Sequence, residues 1–111
     1  MKYLITESQL DRTIFRYLDN QDFIQVEDKD TIYFVNSQGD KYSRIRYDMS
    51  DNFSFINYEL VDEISSFFSL NDSDSEKVIV RWVGDTLQVK YSYEKSMSII
   101  NSESLTLRLP F

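Results

Sequence analysis

Leu10, Ile14, Tyr17 and Leu18 recur at helical spacing behind the opening Met1 to Ile5. They predict an amphipathic helix with one apolar stripe. Thr6 as N-cap with Gln9 three positions later fits a capping box, and Ile5 with Leu10 fits a hydrophobic staple. Asp19-Asn20 predicts the stop, with Asn20 in the left-handed C-terminal position. From Asp22 to Glu27 the period drops to two, with Ile24 and Val26 on one side, as in a strand. Asp28-Lys29-Asp30 reads as a turn. Thr31 to Asn36 and Lys41 to Asp48 read as two further strands joined by Asn36-Ser37-Gln38-Gly39. A three-residue loop would pair Asn36 with Asp40, setting Arg44 opposite Ile32. A four-residue loop pairs Asn36 with Lys41 and Ile32 with Ile45, with Phe34 near Tyr47. The second segregates polarity better, leaving Tyr33, Val35, Tyr42, Arg44 and Arg46 on the other face.

After the polar stretch Asp48 to Asn52, Phe53, Phe55 and Ile56 read as core-directed residues. Asn57 is placed to cap a second helix. Its apolar side is Leu60, Val61, Ile64, Phe67 and Phe68, followed by an acidic loop, Asn71 to Ser75. Glu76 to Tyr93, EKVIVRWVGDTLQVKYSY, reads as a hairpin turning at Gly84-Asp85, where a leading Gly suits a II′ turn. In that register Val78, Val80, Trp82, Leu87, Val89 and Tyr91 share one face. Ile79, Arg81, Val83, Thr86, Gln88 and Lys90 share the other. Trp82 is then a core residue whose indole N–H needs an acceptor. Glu94 to Ser98 reads as loop and Ile99-Ile100 as a return to the core. Leu105, Leu107 and Leu109 alternate with Thr106 and Arg108 as a C-terminal strand over Ser104 to Leu109.

These elements run αβββαβββ. They predict one α+β domain over residues 1–111: two layers, with two helices on one face of a mainly antiparallel sheet of about five to six strands. With 41% hydrophobic residues, eight Tyr, eight Phe, two Gly and one Pro, the chain has the material for a packed core. No apolar run approaches a membrane span and the N-terminus lacks a signal-peptide pattern, so the expected location is cytoplasmic.

Composition also narrows the chemistry. Histidine and cysteine are both absent, which removes the commonest general base, the thiolate nucleophile and the usual transition-metal ligands. There is no nucleotide-binding Gly motif and no nucleophile elbow. Asp72-Ser73-Asp74-Ser75-Glu76 has oxygen ligands at alternate positions, like the start of a calcium loop. The required Gly is replaced by Lys77, and the last ligand position falls on Val83. Glu59, Asp62 and Glu63 share the polar side of the second helix without a facing partner for carboxylate catalysis. The expectation is a non-enzymatic protein without cofactor or metal.

The opening KYLITESQLDR resembles the start of small uncharacterised proteins encoded by tailed phages of marine bacteria. The likeness covers about the first dozen residues and implies a phage setting, hence host cytoplasm. It implies no activity and no functional residues.

What remains is binding. Tyr33, Tyr42, Arg44 and Arg46 interleave on the outer face of the first hairpin. Tyr and Arg are enriched at protein-interface hot spots, and the same pairing can stack on bases. A net charge of −7 weighs against nucleic acid. The expected function is protein–protein interaction or self-assembly through that face, or through the edge of the C-terminal strand. The alternative is an acidic inhibitor that imitates nucleic acid and occupies a host protein's binding groove.

Overall fold

The computed structural model describes residues 7–90, 93–99 and 107–110, with side chains from residue 9 onward. The predicted cap at Thr6, the Ile5–Leu10 staple, Tyr91, Ile100 and the first part of the C-terminal strand lie outside them. The elements are α1 (Glu7–Asp19), β1 (Ile24–Asp28), β2 (Thr31–Val35), β3 (Ile45–Asp48), β4 (Phe53–Asn57), α2 (Tyr58–Phe68), α3 (Asp72–Leu87) and β5 (Ser96–Ile99). The sheet order is β1-β2-β3-β4-β5. β1 to β4 form an antiparallel meander, and β5 adds parallel to β4. The fold class is α+β as expected, with three helices among the described residues in place of two.

The largest correction is at Glu76 to Tyr93. The first two-thirds of that stretch is not a strand pair but most of α3. Ser75, Val78, Ile79, Trp82 and Val83 are buried, and their spacing of three, four, seven and eight is a helical stripe. Val80 and Gly84 are buried beside it, so the helix is packed on more than one side, and its apolar run Val78 to Val83 is broken only by Arg81. Four β-branched residues gave that run its strand-like look. The helix start was the segment taken for a loop. The Asn71 side chain accepts a bond from the Asp74 N–H at 2.7 Å. Asp72 and Asp74 place negative charge at the positive end of the helix dipole. Topology requires the helix as well, because a parallel β4–β5 pair needs a crossover, here supplied by α2 and α3.

The remaining elements follow the sequence more closely. Asn57 caps α2 by accepting from the Glu59 N–H at 2.7 Å. Phe53 to Asn57 is a full strand instead of a core plug, and Ser96 to Ile99 is a strand instead of a loop. α1 ends at Asp19 as expected, but the left-handed residue after it is Asp22, not Asn20. The β2–β3 register is neither of the two expected. Phe34 pairs with Ile45 and Ile32 with Tyr47, two residues from the preferred alignment. A two-residue shift preserves every side chain's face, so the segregation of polarity is retained. The cause lies in the loop. Lys41 to Ser43 pairs with the C-terminal segment: the Ser43 N–H donates to Leu107 O at 2.8 Å and the Leu109 N–H to Lys41 O at 2.9 Å. Tyr42 and Arg108 form the antiparallel bridge.

The main core lies between helices and sheet. Ile14 and Leu18 of α1, Leu60, Val61 and Ile64 of α2, and the α3 stripe meet Phe34, Ile45, Tyr47 and Ile56. Trp82 is 4% exposed and touches the rings of Phe23 and Phe34 at 5.7 and 5.4 Å. Its indole N–H donates to Asp19 Oδ1 at 3.0 Å. The expectation that Trp82 is core and needs an acceptor therefore holds, although on a helix. A smaller cluster of Tyr33, Val35 and Leu109, with Val26 against it, covers part of the other sheet face.

Candidate interaction surface on the open sheet face

Side chains alternate along each strand, so register determines which residues form a row across the sheet. One row crosses all five strands. Val26 pairs with Tyr33, Tyr33 with Arg46, Arg46 with Phe55, and Phe55 with Met97. It lies on the face turned away from the helices. Exposure rises along it, from Tyr33 at 5% to Met97 at 48%. The C-terminal segment covers the Tyr33 end, where Leu109 packs, and the β4–β5 end is open.

Arg46 sits at the centre of the row. Its guanidinium carbon lies 5.9 Å from the Tyr33 ring centroid and 5.6 Å from that of Phe55. Its Nε donates to Asp48 Oδ1 at 3.0 Å, and the Thr31 hydroxyl donates to the same oxygen at 3.1 Å. Phe53, in the adjacent row, meets Phe55 with ring centroids 4.8 Å apart. An arginine held between two rings and a carboxylate has lost most of its rotamer freedom before any partner arrives, which lowers the cost of binding. The strip Arg46, Phe53, Phe55 and Met97 is thus a surface of two aromatic rings and one thioether beside a fixed cation, a mixture suited to protein contacts.

The four residues expected to form the site part company. Tyr33 and Arg46 do lie together, with Tyr33 buried as the floor. Arg44 turns to the helix layer, where it pairs with Glu63 at 3.2 Å and Glu59 at 3.8 Å. Tyr42 is 43% exposed on the loop before β3, at its bridge to Arg108. The expected free edge at the C-terminal strand is paired at Leu107 to Leu109. Phe53, Phe55 and Met97 were missed as site residues. The Phe53-Ser54-Phe55 alternation carried the signal for the first two, while Met97 is placed by the parallel pairing of β5, which local pattern cannot show.

Several charged groups elsewhere tie elements of the fold together. Arg81 Nη2 donates to Asp11 Oδ1 at 2.7 Å and Nη1 to the Tyr93 hydroxyl at 2.8 Å. Desolvation works to lower the Arg81 pKa, but these two partners outweigh it and hold the guanidinium above its ordinary value. Arg81 divides two grooves beside α3, of about 530 and 420 Å³. The Glu76 carboxylate accepts both Ser96 and Ser98 hydroxyls, at 2.7 and 2.9 Å, and so ties β5 to α3. Asp72 accepts from Tyr58 at 3.0 Å and Ser65 at 2.9 Å. The bond to Asp72, then its charge, raises the Tyr58 pKa. Among the described residues no three Asp or Glu side chains converge as metal ligands. No helix among them is long and apolar enough to cross a membrane. In comparisons with known proteins, no family model, no curated protein and no solved structure matches this chain.

Proposed function

We propose that this chain is a non-enzymatic interaction protein that engages a protein partner through the open strip of its sheet, Arg46, Phe53, Phe55 and Met97. The observation that supports this is the immobilised Arg46, ringed by Tyr33 and Phe55 and continuous with the exposed Met97. Apolar side chains gathered at the surface and rimmed by polar residues mark protein-interaction sites. The absence of His and Cys, which empties the chain of its commonest catalytic groups, supports a binding role over chemistry. The resemblance of the opening residues supports a phage-encoded protein acting in a host cytoplasm.

The imitation of nucleic acid by an acidic surface is the weaker reading. Four carboxylates, Asp11, Asp48, Glu59 and Glu63, are paired with Arg81, Arg46 and Arg44, which breaks up the acidic field that a mimic presents.

The test is affinity capture from a host lysate with wild-type protein, Met97→Asp and Phe55→Ser, with Arg12→Gln on exposed α1 surface as control. The proposal expects a protein retained by wild type and the control and lost with both strip variants. Capture unchanged by the strip variants removes the sheet face as the site. A captured species released sharply by salt and indifferent to Met97 favours mimicry.

A further inference from the structure

The most exposed large apolar side chain among the described residues is not on the sheet. It is Phe67, 67% exposed near the C-terminal end of α2. Two helical residues hold it. Its ring centroid lies 5.1 Å from that of Tyr17 on α1 and 5.1 Å from that of Phe68, and Tyr17 and Phe68 are themselves 5.5 Å apart, edge to face. Phe68 reaches the core, whereas Phe67 presents a ring to solvent from a fixed position.

The surroundings of that ring are acidic. Glu59, Glu63 and Phe67 follow one another at four-residue intervals on α2, so they form one ridge, with Asp62 beside it. Asp62 and Glu59 are exposed and Glu63 is partly so. Arg44 pairs with Glu59 and Glu63 on this ridge. The Tyr17 hydroxyl lies against the same cluster; burial and then Glu63 raise its pKa. An exposed aromatic face beside carboxylates attracts a cation twice, through the ring quadrupole and through charge. A guanidinium or ammonium can lie on the Phe67 ring while its N–H groups reach Asp62 or Glu63. The same carboxylates repel phosphate, and a second copy of a chain with net charge −7 meets its own repulsion.

We propose that the α1–α2 ridge of Tyr17, Glu59, Asp62, Glu63 and Phe67 is a second docking surface, specific for an Arg- or Lys-bearing segment of a basic protein partner. It is carried by α1 and α2, whereas the strip is carried by β3, β4 and β5. The two surfaces share no residue, so each can be tested by substitution without altering the other.

The experiment is an amide chemical-shift titration of the full ¹⁵N-labelled chain with a synthetic peptide of alternating Arg and Leu. A peptide with citrulline in place of each Arg has the same shape without charge and serves as comparison. The expected result is saturable shifts at Tyr17, Glu63 and Phe67. Binding should weaken roughly tenfold or more with the citrulline peptide, and likewise with Phe67→Ser. Asp62→Lys should weaken it too, and Met97→Asp should leave it unchanged. Should Phe67→Ser fail to fold, Phe67→Leu and Asp62→Lys carry the same reading. Shifts mapping elsewhere, equal affinity for the citrulline peptide, or indifference to Phe67 and Asp62 overturn the proposal. So does concentration-dependent self-association through this ridge. Loss of binding with Met97→Asp would assign the cation to the sheet strip, so failure of this surface and failure of the sheet surface are told apart.

Discussion

The bond from the Trp82 indole to Asp19 is the sharpest local test of how α3 is seated, because it joins the C-terminal end of α1 to the helix that the sequence disguised as a hairpin. Trp82 is nearly sealed, so Trp82→Ala removes a large buried side chain and should cost about 3–5 kcal/mol. Against a total stability of about 5–15 kcal/mol that variant risks unfolding the chain. The readable changes are smaller. Asp19→Ala leaves a buried indole N–H without its acceptor, which costs about 1–3 kcal/mol. Asp19 itself is exposed and water can approach, so the lower half of that range is expected. Trp82→Phe removes the donor and some ring contact with Phe23 and Phe34, at a cost of about 1–2 kcal/mol. With the donor already gone, adding Asp19→Ala should then cost little. The cycle predicts a coupling of about 1 kcal/mol between the two positions. The assay is urea unfolding followed by far-UV circular dichroism, since Trp82 is the only tryptophan and fluorescence is lost with it. Additive costs within about 0.3 kcal/mol would refute the bond. A Trp82→Ala variant that loses less than about 1 kcal/mol would refute the burial.

Two further predictions concern other parts of the chain. Asn71→Ala removes the cap of α3 and should cost about 1 kcal/mol, seen as a drop in melting temperature, whereas in a solvated loop it would cost almost nothing. The Ser37 hydroxyl and N–H both donate to Asp40, at 2.9 and 3.0 Å, and these bonds hold its carboxyl below the ordinary aspartate range. A group with a depressed folded pKa favours the folded form above its unfolded value and loses that as pH falls through the folded one. A carbon-detected NMR titration should therefore find Asp40 titrating low, and Ser37→Ala should move its midpoint up. An ordinary midpoint in both proteins would show the bonds to be absent in solution.

Legibility from sequence followed the range of the interactions. α1 and α2 were readable because stop and cap residues lie beside the stripes they bound. The two faces of β2 and β3 were readable because alternation is local. Their register was not, since it depends on Lys41 to Ser43 pairing with Leu107 to Leu109, more than sixty positions away. α3 was misread for two linked reasons. Val78, Val80 and Trp82 satisfy a period of two while Val78, Ile79, Trp82 and Val83 satisfy a helical stripe, and Gly84-Asp85, in the last turn of the helix, offers a plausible hairpin turn. The deciding facts, the crossover to a parallel β5 and the Asn71 cap, lie at the ends of the segment and beyond it. The candidate site moved for the same reason. Tyr33 belongs to the outer face as expected, but Leu109 covers it, and the Arg44 side chain turns to Glu63 while its backbone stays bonded to Phe34 and Asn57. The surface that stays open runs from Arg46 on β3 across β4 to β5, and β5 is the strand that local pattern did not show.

The central claim is that a protein partner lies on the open sheet strip, and position 97 probes it most directly. A photo-crosslinking amino acid placed at Met97, on the exposed end of the row, should capture the partner on irradiation of the cells in which the protein acts. The same group at Thr13, on the exposed face of α1, should not. One defined crosslinked protein from position 97, absent from position 13 and lost with Phe55→Ser, is the predicted result. No adduct from position 97 while the partner remains bound in the same cells would contradict it.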